Sequence, residues 1–127
     1  MTNSNLVRTF VSSINAGDLA TLISLMTEDH VYYVDGEKPM IGKEAMRSAW
    51  ASYFKLFPKY RIVIDQLYVH ENNVIVSGHT HGSHVPEEIE TAPNSVLWDA
   101  QVRDGLVARW IIYLANPHNR GRLGILD

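Results

Sequence analysis

After Pro58 the hydrophobic period of the chain changes from helical to strand-like for good, and that change limits what it can fold into. Before Pro58, apolar residues recur three and four apart. After it they alternate or run in short β-branched blocks, the pattern of strands. RIVIDQLYV (61–69) reads as one strand, HENN (70–73) as a turn, and VIVSGHTHGSHV (74–85) as the returning strand. SVLWDAQV (95–102), the tight turn RDG (103–105) and LVARWIIYLA (106–115) make a second hairpin. PEEIETAPN (86–94), acidic and bounded by proline, reads as the long loop between them.

Upstream, Leu6, Val7, Phe10, Val11 and Ile14 mark the buried stripe of a helix over 3–16. Gly17 stops it and Asp18 caps a second, short helix with Leu19, Leu22, Ile23 and Met26 inward. TEDHVYYV (27–34) has strand composition, and DGEKPMIG (35–42) is a loop of turn formers. A third helix covers 43–57, with Met46, Trp50, Tyr53 and Phe57 on one face, and Pro58 ends it. The tail NPHNRGRLGILD (116–127) carries no pattern that assigns it.

This order of elements is α+β, with three N-terminal helices on one face of an antiparallel sheet. Helices gathered on one side make the sheet curl, and a curled sheet under a helical lid encloses a cone-shaped cavity. A chain of 127 residues suits one domain, 1–127. The formal net charge is −3 with no run of Lys or Arg, which argues against nucleic acid or an anionic membrane as partner. Cysteine is absent, so thiolate catalysis and thiolate metal sites are excluded. No apolar run approaches the roughly 20 residues that span a bilayer. MTNSNLVRTF lacks the build of a secretory signal. The expectation is a soluble, cytoplasmic protein.

Four segments together resemble a known family. INAGDLATLISLMTEDHVYYV is similar to its opening helices and first strand, and MIGKEAMRSAWASYFKLFP to its third helix. GHTHG sits where members carry a Gly-Thr-His-x-Gly segment, and VRDGLVARWIIYLAN resembles its closing hairpin. Over about residues 3–115 the chain resembles the nuclear transport factor 2-like superfamily, in its SnoaL-like, polyketide cyclase-like group. That implies a cystatin-like roll.

The resemblance also implies a pocket face. On the closing strand it matches Trp110, Ile112 and Leu114, and the hairpin phase then puts Leu97, Asp99 and Gln101 inward on the strand before. Asp99 among apolar neighbours would be a carboxylic acid with a raised pKa, suited to acid–base work; otherwise it faces solvent or pairs with Arg109. Trp50, Phe57, Tyr32 or Tyr33, and Trp110 are candidate pocket aromatics, with core packing as the alternative. Tyr53 is a candidate donor to a ligand carbonyl.

SGHTHGSHVPEE (77–88) holds His79, His81 and His84, and the first two share a strand face. Three roles are open to that pair. As metal ligands they lack a completing set, since Glu87 lies beyond Pro86 and strands 95–115 carry no histidine. By resemblance, His81 would be a catalytic base near Asp99. In the third reading both lie on the convex face, in a dimer interface, with Gly78, Thr80 and Gly82 turned inward. Ile112 and Val34 stand where epoxide hydrolases and ketosteroid isomerases carry their acids, so neither activity is implied.

The reading implied is a cofactor-independent isomerase, cyclase or dehydratase acting on a small hydrophobic carbonyl compound, with Asp99, His81 and Tyr53 as acid–base residues. The alternative is a non-catalytic ligand-binding or interaction module of the same fold. Neither metal nor cofactor is called for. A homodimer is expected through the sheet face without helices, where Val102, Val107 and Ile111 would otherwise be wet.

Overall fold

The computed structural model describes residues 2–125. The elements in chain order are α1 (Asn3–Ala16), α2 (Leu19–Ser24), β1 (Met26–Val34), β2 (Met40–Ile41) and α3 (Lys43–Leu56), then β3 (Arg61–Val69), β4 (Asn73–His81), α4 (Glu87–Glu90), β5 (Val96–Arg103), β6 (Leu106–Leu114) and α5 (Pro117–Arg122). Three of these add to the sequence pattern: β2 within the 35–42 loop, α4 within the acidic loop and α5 within the tail. Residues 126 and 127 of that tail lie outside the described residues.

Local chemistry sets the first helix boundaries. Thr2 caps α1 by accepting a bond from the Asn5 N–H. Gly17, at φ 64°, takes the left-handed conformation that closes the helix, and its N–H returns to the Ile14 and Ser13 carbonyls. Asp18 then accepts from the Thr21 N–H and opens α2.

The strands form one curled sheet in the order β2-β1-β6-β5-β4-β3. Its ladders are antiparallel except one: β1 runs parallel to β6. The sheet is therefore mixed, where the hairpin pattern alone points to an antiparallel one. α1 and α2 cover the concave face. Leu6, Val7, Phe10, Ile14, Leu22 and Ile23 pack there on Ile62, Val74, Val76, Trp98, Val107 and Trp110, all buried. Each such side chain contributes roughly 1.5–3 kcal/mol through burial. Gly78 belongs to this face because a Cβ there would collide with the Val63 carbonyl and crowd Trp98.

His30 is fully buried in the same core, and its Nδ1 lies 2.7 Å from the Val107 carbonyl oxygen. A carbonyl only accepts, so the proton sits on Nδ1. Burial lowers the pKa of this imidazole despite that bond, and the ring is neutral at pH 7.

A bulge decides which side chains face inward on the last hairpin. Near the Asp104–Gly105 turn, Arg103 pairs with Leu106 and Val102 with Val107. The register then slips by one at Ala108, so that Gln101 meets Arg109, Asp99 meets Ile111 and Trp98 meets Ile112. Opposed residues in an antiparallel pair share a face, and one extra residue exchanges the faces beyond it. Val96, Trp98 and Ala100 consequently join Leu114, Ile112 and Trp110 on the concave side. Leu97, Asp99 and Gln101 turn to the convex side. The same bulge turns Val107 into the main core, where Val102 also packs.

The convex face is not bare. Ile75, Leu97, Ile111 and Tyr113 form a second buried cluster, closed by Ile125 from the tail. Asn116 caps α5 with Pro117 in its first turn. The Asn119 side chain donates to the Leu114 carbonyl at 2.9 Å, and Arg120 donates to the Asn94 carbonyl at 3.0 Å. The premise for a dimer, an uncovered apolar sheet face, is thus corrected. Val107 and Val102 face inward and Ile111 is covered by the chain's own end. Among the described residues no helix is long and apolar enough to cross a membrane.

Candidate functional site

A cavity of about 590 Å³ opens at one end of the curl. α3 supplies Met46, Trp50 and Tyr53, β1 supplies Tyr32 and Val34, and Tyr60 precedes β3. The ends of β5 and β6 contribute Val96, Trp98, Ile112 and Leu114. The segment after β4, with α4, closes the remaining side through Ser83, His84, Val85, Ile89 and Glu90. Two buried polar atoms on lining residues, Ser95 Oγ and Trp98 Nε1, have no hydrogen-bond partner among the described residues.

The lining carries a tyrosine–histidine pair. Tyr53 Oη lies 2.9 Å from His84 Nδ1 and accepts a longer bond, 3.4 Å, from the His84 backbone N–H. In the tautomer whose Nδ1–H donates to Tyr53, the hydroxyl proton is left for a ligand oxygen and Nε2 keeps a lone pair. Burial raises the Tyr53 pKa, so the phenol is protonated at neutral pH. Burial also pushes Tyr32 up to about 12, and raises Tyr60 further still.

Glu90 is the buried carboxylate of the wall, 5% exposed. Thr80 Oγ1 donates to it at 2.6 Å, Ser83 Oγ donates to the same oxygen, and the Ser83 N–H lies 3.3 Å from both oxygens. Burial pushes its pKa up, but the bonds from Ser83 and Thr80 outweigh that, and the net shift is downward. Glu90 is therefore ionised and fastens α4 to the end of β4.

Of the residues singled out from sequence, Tyr53, Trp50, Tyr32, Ile112 and Leu114 line the cavity. Phe57 does not; its ring packs on Tyr53 at 4.8 Å. Trp110 lies deeper, in the core against Phe10. Leu97 and Asp99 are on the convex face because of the Ala108 bulge. Asp99 accepts from Asn73 at 2.9 Å and from Gln101 at 3.2 Å, and it is not among the residues lining the cavity. His81 is exposed on the convex side, its ring 5.2 Å from that of His79. His79 bonds Asp65 at 2.9 Å. The inward residues of β4 include Thr80 and Gly78, as the convex-face reading of the histidines requires. Among the described residues no three His, Asp or Glu side chains gather into a metal-ligand set.

Sequence reasoning passed over His84 and Glu90. The sequence pattern ran the strand through residue 85, but β4 ends at His81 and leaves His84 in a loop; the turn formers Gly82 and Ser83 before it were the one signal. Glu90 carried none, since it is one of three glutamates in an acidic stretch, and only the fold buries it.

The SnoaL-like domain family model matches residues 7–110 of the chain. Among solved structures, the chain is similar to an uncharacterised cystatin-fold protein from Novosphingobium aromaticivorans, at 21% identity, TM-score 0.76, and 89% and 98% coverage of this chain and that one. It is also similar to an NTF2-like protein of unknown function from Cytophaga hutchinsonii, at 13% identity, TM-score 0.72 and 94% coverage of each. A candidate polyketide cyclase from Sinorhizobium meliloti aligns at 18% identity, TM-score 0.72, and 86% and 94% coverage. No curated protein matches the chain. At these identities the likeness shows the fold.

Proposed function

The chain belongs to the SnoaL-like domain family, and from that footing we propose that its cavity takes up a small, mainly apolar carbonyl compound and moves a proton on it without a cofactor. The reaction class is that of isomerases, cyclases and dehydratases, the class suggested by the cyclase-like relatives. The observation that carries the reading is the Tyr53–His84 pair in the wall of an aromatic cavity. His84 Nε2 takes a proton alpha to the carbonyl, and the Tyr53 hydroxyl donates to the oxygen on which charge develops. The imidazolium returns the proton to the same carbon or to a conjugated one. No electron is gained or lost by the protein.

A second reading, binding without turnover, is favoured by one observation: Glu90, the buried carboxylate of the wall, is already held by Thr80 and Ser83. One experiment separates the two. The protein is mixed with an apolar ketone such as 2-tetralone in deuterium oxide, and loss of the alpha-proton signal is followed by NMR. Exchange above the buffer rate, reduced about 100-fold or more in His84→Gln, supports catalysis. Chemical-shift changes on binding with no enhanced exchange assign the binding role, and neither effect sinks both.

A further inference from the structure

The charge and ring content of the cavity wall narrow the ligand further. Tyr32, Trp50, Tyr53 and Tyr60 form a box of rings. Trp50 meets Tyr32 edge-on at 6.2 Å and Tyr53 edge-on at 6.1 Å, and Tyr53 meets Tyr60 edge-on at 5.0 Å. Three carboxylates line the same cavity: Asp35, Glu37 and Glu90. No lysine or arginine is among the described lining residues. Arg122, outside the lining, lies 3.7 Å from Asp35 and partly offsets it. Glu37 has no ion pair among the described residues. The partners of Glu90 are all neutral, so its charge stands uncompensated.

We infer that the ligand carries a cationic nitrogen, an apolar body with an ammonium group seated in the box of rings. Aromatic faces present negative potential, and a cation held against several of them gains most when it is desolvated. The uncompensated carboxylates add a Coulombic attraction that the partly enclosed cavity screens less than water does. An anionic ligand meets the opposite field and finds no lysine or arginine among the described lining residues to receive it. Val96, Ile112 and Leu114 offer the apolar remainder of the wall to the ligand's body. The exposed Met40, Ile89 and Leu114 continue that surface outward.

This inference rests on the small-molecule reading of the cavity given above, and its test is chosen to fail separately. Three probes share one shape: benzyltrimethylammonium, its uncharged carbon analogue neopentylbenzene, and the anion 2,2-dimethyl-3-phenylpropanoate. Affinities are read by tryptophan fluorescence and by ligand-observed NMR. The cation is expected to bind about tenfold tighter than the neutral analogue, and the carboxylate weakest. Glu37→Gln, at an exposed loop position that leaves the fold intact, should narrow the gap between cation and neutral probe by about threefold. Trp50→Leu should remove most of it. Equal or tighter binding of the neutral probe, or preference for the carboxylate, overturns the inference and leaves the carbonyl reading standing. Binding of none of the three also overturns it, and the proton-exchange assay then judges the carbonyl reading alone.

Discussion

The hydroxyl of Tyr53 and Nδ1 of His84 meet at 2.9 Å, tying α3 to the segment that follows β4. Removing the hydroxyl with Tyr53→Phe deprives a bound carbonyl of its donor and His84 of its partner. Affinity for 2-tetralone is expected to fall about 3- to 10-fold, the worth of one hydrogen bond. Because His84 is exposed, unfolding stability should change by less than about 1 kcal/mol. Calorimetric titration and urea unfolding check the two halves, and unaltered affinity would count against the donor role.

Glu90 makes stability depend on acid. Burial pushes its pKa up and the Ser83 and Thr80 bonds pull it down by more, so the native value is below the ordinary one. Between the two values the unfolded chain binds more protons, and stability rises with pH across that window. The contribution is full above the ordinary glutamate value and disappears as pH falls through the native one. Glu90→Gln should lose roughly 1–3 kcal/mol at neutral pH, and its deficit should shrink below about pH 4. Urea unfolding of both proteins over pH 3 to 7 measures this, and an equal deficit at both ends would contradict it.

Asp99→Asn and His81→Ala should leave ligand affinity and any proton exchange within about twofold of the parent, since both side chains are on the convex face. The same two assays apply. A loss of tenfold or more in either variant would return these residues to the reaction.

Ile125 closes the cluster of Ile75, Leu97, Ile111 and Tyr113. Ile125→Asp should lift the tail from the sheet and expose that apolar face. Sedimentation velocity is expected to show self-association that the parent lacks at equal concentration, together with increased binding of a hydrophobic dye. A variant with the parent's sedimentation would mean the tail does not shield an association surface.

The architecture was legible because it rests on periodicity and punctuation. Gly17, Asp18 and Pro58 mark boundaries, and the stripes of α1 and α3 select the faces that are buried. The cavity residues on α3, β1 and β6 were legible for the same reason. What escaped depends on events with no local signature. The bulge at Ala108 is one residue in a plain alternating strand, yet it inverted the faces assigned to Leu97, Asp99, Val102 and Val107. The covering of the convex face depends on Ile125, in the short stretch LGIL (123–126) that follows residues rich in Asn, Gly and Arg and carries no periodicity. Glu90 looks like any solvated glutamate until Thr80 and Ser83 are brought to it.

The Ala108 bulge has a bearing on how chains of this architecture are compared. Strand register, as much as residue identity, selects which functional groups the hollow receives. A gap-free alignment of the closing hairpin would equate an interior wall in one protein with an exterior wall in another. Drawing Ala108 into a regular ladder would pair Asp99 with Trp110 and trade Trp98 for Asp99 in the chamber, an indole for an acid with every amino acid unchanged, whereas deleting Ala108 would remove the bulge and keep the present faces.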